Sequence, residues 1–398
     1  MRTGIVWEQG GNLGHLGRLL PIARRLRALG HEVTFVVANA QAAQQYVLPE
    51  GFVCIRAPVV ENDATKDTER PVLNHADMWL RSGFGRMEAA LSCVEAWRVL
   101  YAKLRLDAVL VDACPMGLYA ARSLGVHCMA IGHGFEIPPS PDGGTLIRPL
   151  GLGDVVLEHA SVASLAIAFE RMHGHFGNSA PVDFAQLYPQ GSTLLCTWPE
   201  FDHFSRTSSR TYTGSLWSQV GVALDAQWPQ KLGAKVLCYL NLVDKRYDLL
   251  FQALQSHGAN VWVIAPQASE RACNAARAWG VMVHAAPVDI EKMISQAQAV
   301  VHHGGMGLAC LAASRGIQTL ILPQHAEQVV LSHRLFVQNL AAGTVQLNNK
   351  AKIATLVAQL LSNGKNGAYA GLSALTQRYA NYDVDTAADS YAARLCGQ

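Results

Sequence analysis

Charge is scarce in this chain: 16% of its 398 residues are Asp, Glu, Lys or Arg, and the 32 basic side chains exceed the 30 acidic ones by only two. A balance that even gives no footprint for a polyanion, which excludes nucleic acid as a partner. Cysteine pairs at metal or redox spacing are missing as well. The nine cysteines (Cys54, Cys93, Cys114, Cys128, Cys196, Cys238, Cys273, Cys310 and Cys396) are odd in number and scattered. No C-x-x-C occurs, so a zinc or disulfide framework is excluded and reduced thiols in a cytoplasm are expected. No apolar run approaches the ~20 residues of a membrane-spanning helix. The opening Met1-Arg2-Thr3-Gly4-Ile5-Val6-Trp7-Glu8 meets acid and glycine before a signal-peptide core can form. The expectation is a soluble, cytoplasmic protein.

Half of the residues are apolar, and a length of 398 residues exceeds what one core usually holds, so two well-filled domains are expected. Strand-like and helical runs alternate. Thr3 to Trp7 precedes an amphipathic Leu19 to Leu29, then Glu32 to Ala38; later come Asp107 to Val111, Met116 to Leu124 and His127 to Ile131. The rhythm repeats from Lys235 to Leu240 through Tyr247 to Gln255, Val261 to Ile264, Ser269 to Trp279, Val281 to Ala285, Ile290 to Ala297 and Ala299 to His302. Such βαβ order predicts α/β domains with parallel, doubly wound sheets. Ser205 to Gln230, rich in Ser, Thr, Trp and Gln, reads as the linker between them. The polar or Pro/Gly-rich segments Pro58 to Asn74 and Pro138 to Gly153 read as loops at strand ends, where open α/β sheets bind ligands.

Two places carry chemistry. Gly10-Gly11-Asn12-Leu13-Gly14-His15 is a glycine turn after the first strand, with a histidine at the start of the next helix. A neutral imidazole there suits removal of a proton from a hydroxyl at neutral pH. Asp112 ends another strand at the same sheet edge, where a carboxylate can hold the imidazole tautomer and stabilise the imidazolium. The plainer alternatives are a capping histidine in an ordinary turn, and an aspartate that caps the helix begun near Pro115.

The second place is Val300-Val301-His302-His303-Gly304-Gly305-Met306-Gly307, followed by Pro323-Gln324-His325-Ala326-Glu327-Gln328. A buried strand stops in a glycine turn and opens a helix at Leu308, so backbone N–H groups of Gly305, Gly307 and Leu308 aim at an anion. His303, which abuts the glycines, is the imidazole suited to a phosphate; His302 is expected to be a satisfied core histidine. Glu327 and Gln328 offer the acceptors and donors that sugar hydroxyls require. A plain tight connection is the alternative for the turn.

The order of the glycine turn with His15, Asp112, Tyr212-Thr213-Gly214, the run His302 to Gly307 and Pro323 to Gln328 resembles glycosyltransferase family one, in particular its bacterial natural-product members. The resemblance spans nearly the whole chain. It implies a GT-B fold, two Rossmann-like domains facing across a cleft, with the acceptor held by the first and the donor by the second. The implied boundaries are 1–213 for the acceptor domain, 214–232 for the linker, 233–382 for the nucleotide-sugar domain and 383–398 for a terminal helix returning to the first domain. It further implies an inverting transfer with His15 as base, Asp112 as its partner, His303 on the diphosphate and Glu327 with Gln328 on the donor sugar. Val288, after Pro287, resembles the loop that holds the nucleobase through backbone groups. Direct displacement needs no cofactor and no metal; the partners are a nucleotide sugar and a small-molecule or natural-product acceptor. For the acceptor, Trp79, Phe84, Trp97 and Phe135 would supply an aromatic wall unless they fill the core, which is preferred for Trp97. His133 and Glu136 form a polar pair in a glycine-flanked loop.

Three departures fall on the donor side. Leu308 stands where many members have Thr or Ser, Leu311 where UDP-sugar enzymes usually place a ribose-binding glutamate, and Asn241 where the family often places Gly-Ser. Leaving a ribose hydroxyl against Leu311 would cost about 1 to 3 kcal/mol, which favours dTDP over UDP. Asn241 retains a donor for phosphate. The same departures motivate a different reading, a non-catalytic partner or scaffold with a degraded donor site. A nucleotide-sugar epimerase on the same fold is a third.

Overall fold

The computed structural model describes residues 1–10, 13–60, 72–147, 155–206, 212–218, 227–228, 231–242, 246–266, 268–286, 288–362 and 367–397. Gly11, Asn12, Pro287, residues 61–71 and 148–153 of the two polar loops, and most of 207–230 lie outside them. The chain divides into two units, Met1–Ser218 with Val384–Gln398 and Gln219–Asp383.

The first unit is built on six parallel strands, β1 (Arg2–Trp7), β2 (Glu32–Val37), β3 (Val53–Arg56), β4 (Ala108–Asp112), β5 (His127–Gly132) and β6 (Thr193–Leu195), in the order β3-β2-β1-β4-β5-β6. Their near-continuous Val, Ile and Leu content is what a sheet covered on both faces demands. The order reverses between β1 and β4, where Trp7 is level with Asp112. An open sheet has its ligand crevice at such a switch point. The helix Gly14–Ala28 leaves β1, burying Leu16, Leu19, Leu20, Ile22 and Leu26. The terminal helix Val384–Leu395 packs on it, with Arg25 paired to Asp389 and the Tyr391 hydroxyl donating to Gly214 O at 2.7 Å.

The second unit repeats this plan with β7 (Lys235–Tyr239), β8 (Asn260–Ile264), β9 (Met282–His284), β10 (Ala299–His302), β11 (Gln318–Ile321) and β12 (Ala342–Gly343) in the order β12-β11-β10-β7-β8-β9. Here the reversal falls between β7 and β10, with Tyr239 level with His302. The expected fold class, α/β with two Rossmann-like halves, is what the chain adopts.

Each unit has its own core. Trp79, Phe84 and Trp97 belong to the first one, each 1% exposed or less. Trp79 meets Phe169 and Phe184 edge-on at centroid distances of 5.7 and 5.1 Å. A ring closed in this way has no face left for a ligand, so the expectation that Trp79 and Phe84 form an acceptor wall is corrected. They are apolar packing, which aromatic side chains at helical spacing most readily become. All nine cysteines are free, and all but Cys54 and Cys396 are buried. Among the described residues no helix is long and apolar enough to cross a membrane.

Candidate active site and anion site

At the β1–β4 switch point of the first unit, His15 and Asp112 meet. His15 Nδ1 lies 3.1 Å from Asp112 Oδ2. The imidazole is stacked on the Trp7 ring at 4.9 Å, which fixes its plane. Gly10 has φ +91°, and a Cβ there would fall 2.6 Å from His15 Nε2. Glycine is therefore required twice, for the backbone turn and to leave Nε2 uncovered. Ala113, directly after Asp112, has φ +42°, a region that costs an L-residue roughly 1 to 2 kcal/mol. Its carbonyl accepts from Gln9 N at 2.9 Å, tying the two strand ends together.

Sequence reasoning missed the residue that organises this cluster. Arg18 lies one helical turn beyond His15 and is 1% exposed. Its Nε donates to Asp112 Oδ2 at 2.8 Å and its Nη2 to Asp112 Oδ1, a bidentate pair. Nη2 also reaches Glu136 Oε1 at 3.0 Å, and Nη1 lies 2.7 Å from the His133 ring nitrogens. Glu136 closes the loop by accepting from His133 N at 2.9 Å. Burial alone would raise the Asp112 carboxyl, but Arg18 and His15 outweigh it and hold that carboxyl below the usual range. The same contest, burial against Arg18, His133 and His15, leaves Glu136 well below it. For Arg18, burial works against the charge, yet Asp112 and Glu136 keep the guanidinium protonated more firmly than in water. The i,i+3 spacing of His15 and Arg18 was the available signal, since such residues share a helix face.

His133 and Glu136, expected to face an acceptor, are thus turned onto Arg18. Phe135 between them is half-buried, stacked against Phe204 at 6.4 Å, and its carbonyl accepts from His75 Nε2 at 2.7 Å. Glu8, at the end of β1, is a further acid. Its Oε2 accepts from Cys114 Sγ at 3.3 Å and from Met116 N at 3.2 Å, at the start of the helix Pro115–Ser123. Burial dominates over those bonds and pushes its carboxyl up to about 7.

In the second unit the described residues at the corresponding switch point show no buried ion pair like Arg18–Asp112, although the Arg246 charge acts on His303. The helix after β10 runs Met306–Ser314 with Gly305 at its N-cap, so it opens two residues before Leu308. The first amides of a helix lack intrahelical partners, and those of Met306, Gly307 and Leu308 occupy that place here. Gly305 is exposed and Gly307 and Leu308 are half-buried. Gly304 has φ +99° and turns the chain into the helix.

His303 Nδ1 donates to Leu322 O at 2.8 Å, because a carbonyl only accepts. Its Nε2 accepts the exposed Asn241's backbone N–H at 2.8 Å. His303 therefore joins the ends of β7, β10 and β11 as a neutral imidazole, and burial lowers its pKa. A phosphate reaching Nε2 would have to displace the Asn241 amide. His302 is 1% exposed, accepts from Gly304 N at 3.1 Å and is pushed down to about 3, first by burial and then by His303. Its Nε2 has no partner among the described residues, so it is a core histidine only half satisfied.

Glu327 is half-buried in the first turn of the helix Ala326–Val337. Gln328 is 8% exposed and its Oε1 accepts from Gln324 N at 2.8 Å, which holds the Pro323-Gln324 loop. Val288 is 4% exposed. Leu311 is 1% exposed, so its side chain presents no surface against which a ribose could be judged. That burial removes Leu311 as a reason to prefer dTDP over UDP.

No family model matches the chain, and no curated protein matches it in sequence. Solved structures do match its fold. A glycosyltransferase of kitacinnamycin superposes with a TM-score of 0.70 at 17% identity over 99% of both chains. A calicheamicin glycosyltransferase gives 0.70 at 18%, covering 100% of this chain and 98% of its own. A spinosyn rhamnosyltransferase complexed with thymidine diphosphate gives 0.67 at 16%, over 98% and 99%. The chain has the GT-B fold of these proteins.

Proposed function

We propose that the chain is an inverting glycosyltransferase that moves a sugar from a nucleotide diphosphate sugar to a hydroxyl of a small-molecule acceptor. The observation that carries this reading is the contact of His15 with an ionised, fully buried Asp112. An imidazole held that way takes a proton at Nε2, and the imidazolium it becomes is stabilised by the carboxylate behind it. The acceptor oxygen, as it loses that proton, displaces the nucleotide diphosphate from the anomeric carbon. Holding the two reactants in line supplies much of the acceleration.

The second unit supplies the ligands for the leaving group. The amides at the start of Met306–Ser314 stabilise the charge that develops on the diphosphate, and Glu327, in the first turn of Ala326–Val337, is assigned to the donor-sugar hydroxyls. Thymidine diphosphate is bound in one structure of the spinosyn rhamnosyltransferase, and spinosyn aglycone in another. Those likenesses support dTDP as the first donor to try, with UDP second, and a natural product as acceptor. The scheme draws on no cofactor and no metal.

The test is calorimetric titration with dTDP, UDP and GDP, followed by an acceptor screen with the sugar of whichever nucleotide binds. Binding of dTDP or UDP with transfer that disappears in His15→Ala supports the reading. Failure of all three to bind would favour the non-catalytic partner, which the occupied Nε2 of His303 and the hydroxyl-free Leu308 motivate.

A further inference from the structure

A guanidinium has five N–H groups to give, and in Arg18 the count decides the state of its neighbour. Nε donates to Asp112 Oδ2 and Nη1 faces His133. Nη2 has two hydrogens but three neighbours: Asp112 Oδ1, Glu136 Oε1 at 3.0 Å and His15 Nδ1, also at 3.0 Å. Two of these are carboxylate oxygens and the third is a neutral ring nitrogen. All three bonds would have a cationic donor, but only the carboxylate oxygens add a full opposite charge to the attraction, so the carboxylates take both hydrogens.

His15 Nδ1 is then left with Asp112 Oδ2 at 3.1 Å, an ionised oxygen that only accepts. Nδ1 must therefore carry the ring proton, and Nε2 is bare. Were Glu136 absent, one Nη2 hydrogen would be released and would point at His15 Nδ1. That nitrogen would become an acceptor, the proton would move to Nε2, and the imidazole would no longer be able to take a proton there. We propose that Arg18 and Glu136 are positioning residues that set the tautomer of His15, with Glu136 acting by occupying the second hydrogen of Arg18 Nη2. Of the described residues that flank the imidazole, Gly10 has no side chain and Trp7 gives its Nε1–H to Gln9 O.

The proposal rests on His15 being the base, but its test does not use turnover. Nitrogen-15 spectra of histidine-labelled protein at pH 8, assigned with His15→Gln, distinguish a protonated ring nitrogen from a bare one. Wild type is expected with the proton on Nδ1. In Glu136→Ala at least half of His15 should move to the Nε2–H form. Glu136→Gln sets a neutral carbonyl against the neutral Nδ1 for the same hydrogen and should move His15 only part of the way to the Nε2–H form. A wild-type His15 protonated on Nε2 would overturn the proposal, as would a Glu136→Ala spectrum like wild type. If Glu136→Ala does not fold, Glu136→Gln decides it, since a spectrum identical to wild type would overturn the proposal. Loss of transfer in His15→Ala tests the base reading separately, so the two failures are distinguishable.

Discussion

The two units share one strand order and place their chemistry at the same point of it, yet they solve opposite problems. In the first, Asp112 at the end of β4, Arg18 on the helix after β1 and Glu136 beyond β5 form a buried cluster of full charges, with Arg18 shared by the two acids. In the second, residues just beyond β7 and β10 meet as neutral groups, His303 Nε2 accepting the Asn241 amide. A group that must move a proton needs fixed charges to hold its tautomer. A group that must receive a phosphate does better with backbone N–H groups and a helix terminus, whose partial positive charge stays unneutralised until the anion arrives. On the proposed reading, one sheet topology serves as a proton-transfer site or an anion site according to the side chains near its switch point.

Breaking the first site should have the largest consequence. His15→Ala is expected to lower transfer by roughly 100 to 10,000-fold, the usual worth of a positioned base, with dTDP affinity near normal; single-turnover assays beside calorimetry check both halves. Stability should break the comparison next. Arg18→Met strands the buried Asp112 and Glu136 charges and should cost about 3 to 5 kcal/mol in urea unfolding. His303→Ala removes only neutral hydrogen bonds, and about 1 to 3 kcal/mol is expected. Equal costs for the two variants would erase the distinction between the sites.

Glu8 sharpens the comparison through pH. Its carboxyl is raised from 4.5 to about 7 in the fold, so the protonated form is favoured there. The stability this contributes is full below 4.5 and is lost as pH rises through about 7. Glu8→Gln should therefore stabilise the protein by about 1 to 3 kcal/mol at pH 8 and change little at pH 4, as thermal melts across that range would show. The smallest effect concerns the anion site: Leu308→Thr adds a hydroxyl near the first helical amides and should tighten dTDP by up to about tenfold, roughly one ordinary hydrogen bond. Weaker binding would place the phosphate elsewhere.

The alternation of strands and helices was legible because both sheets are parallel and their strands are uniformly apolar. His15 and Asp112 were legible because each ends or follows a strand at the sheet edge. Arg18 was not, because a lone arginine in an amphipathic helix reads as a solvent-facing residue; only its spacing from His15 marked it. Trp79 and Phe84 misled because an aromatic side chain is equally suited to a core and to a ligand wall, and burial decides between them. Leu311, read as a missing ribose ligand, is a buried core side chain. The helix start at Met306 lay two residues early because Gly305, with no side chain to cap, leaves little trace of a boundary.

The central claim is that the base and the nucleotide ligands reside in different units and act through different physics. Titration of wild type, His15→Ala and Gly304→Val with dTDP tests it most directly. The claim predicts equal binding by wild type and His15→Ala, and loss of binding in Gly304→Val, whose φ of +99° no β-branched residue tolerates. Binding lost in His15→Ala but retained in Gly304→Val would contradict it.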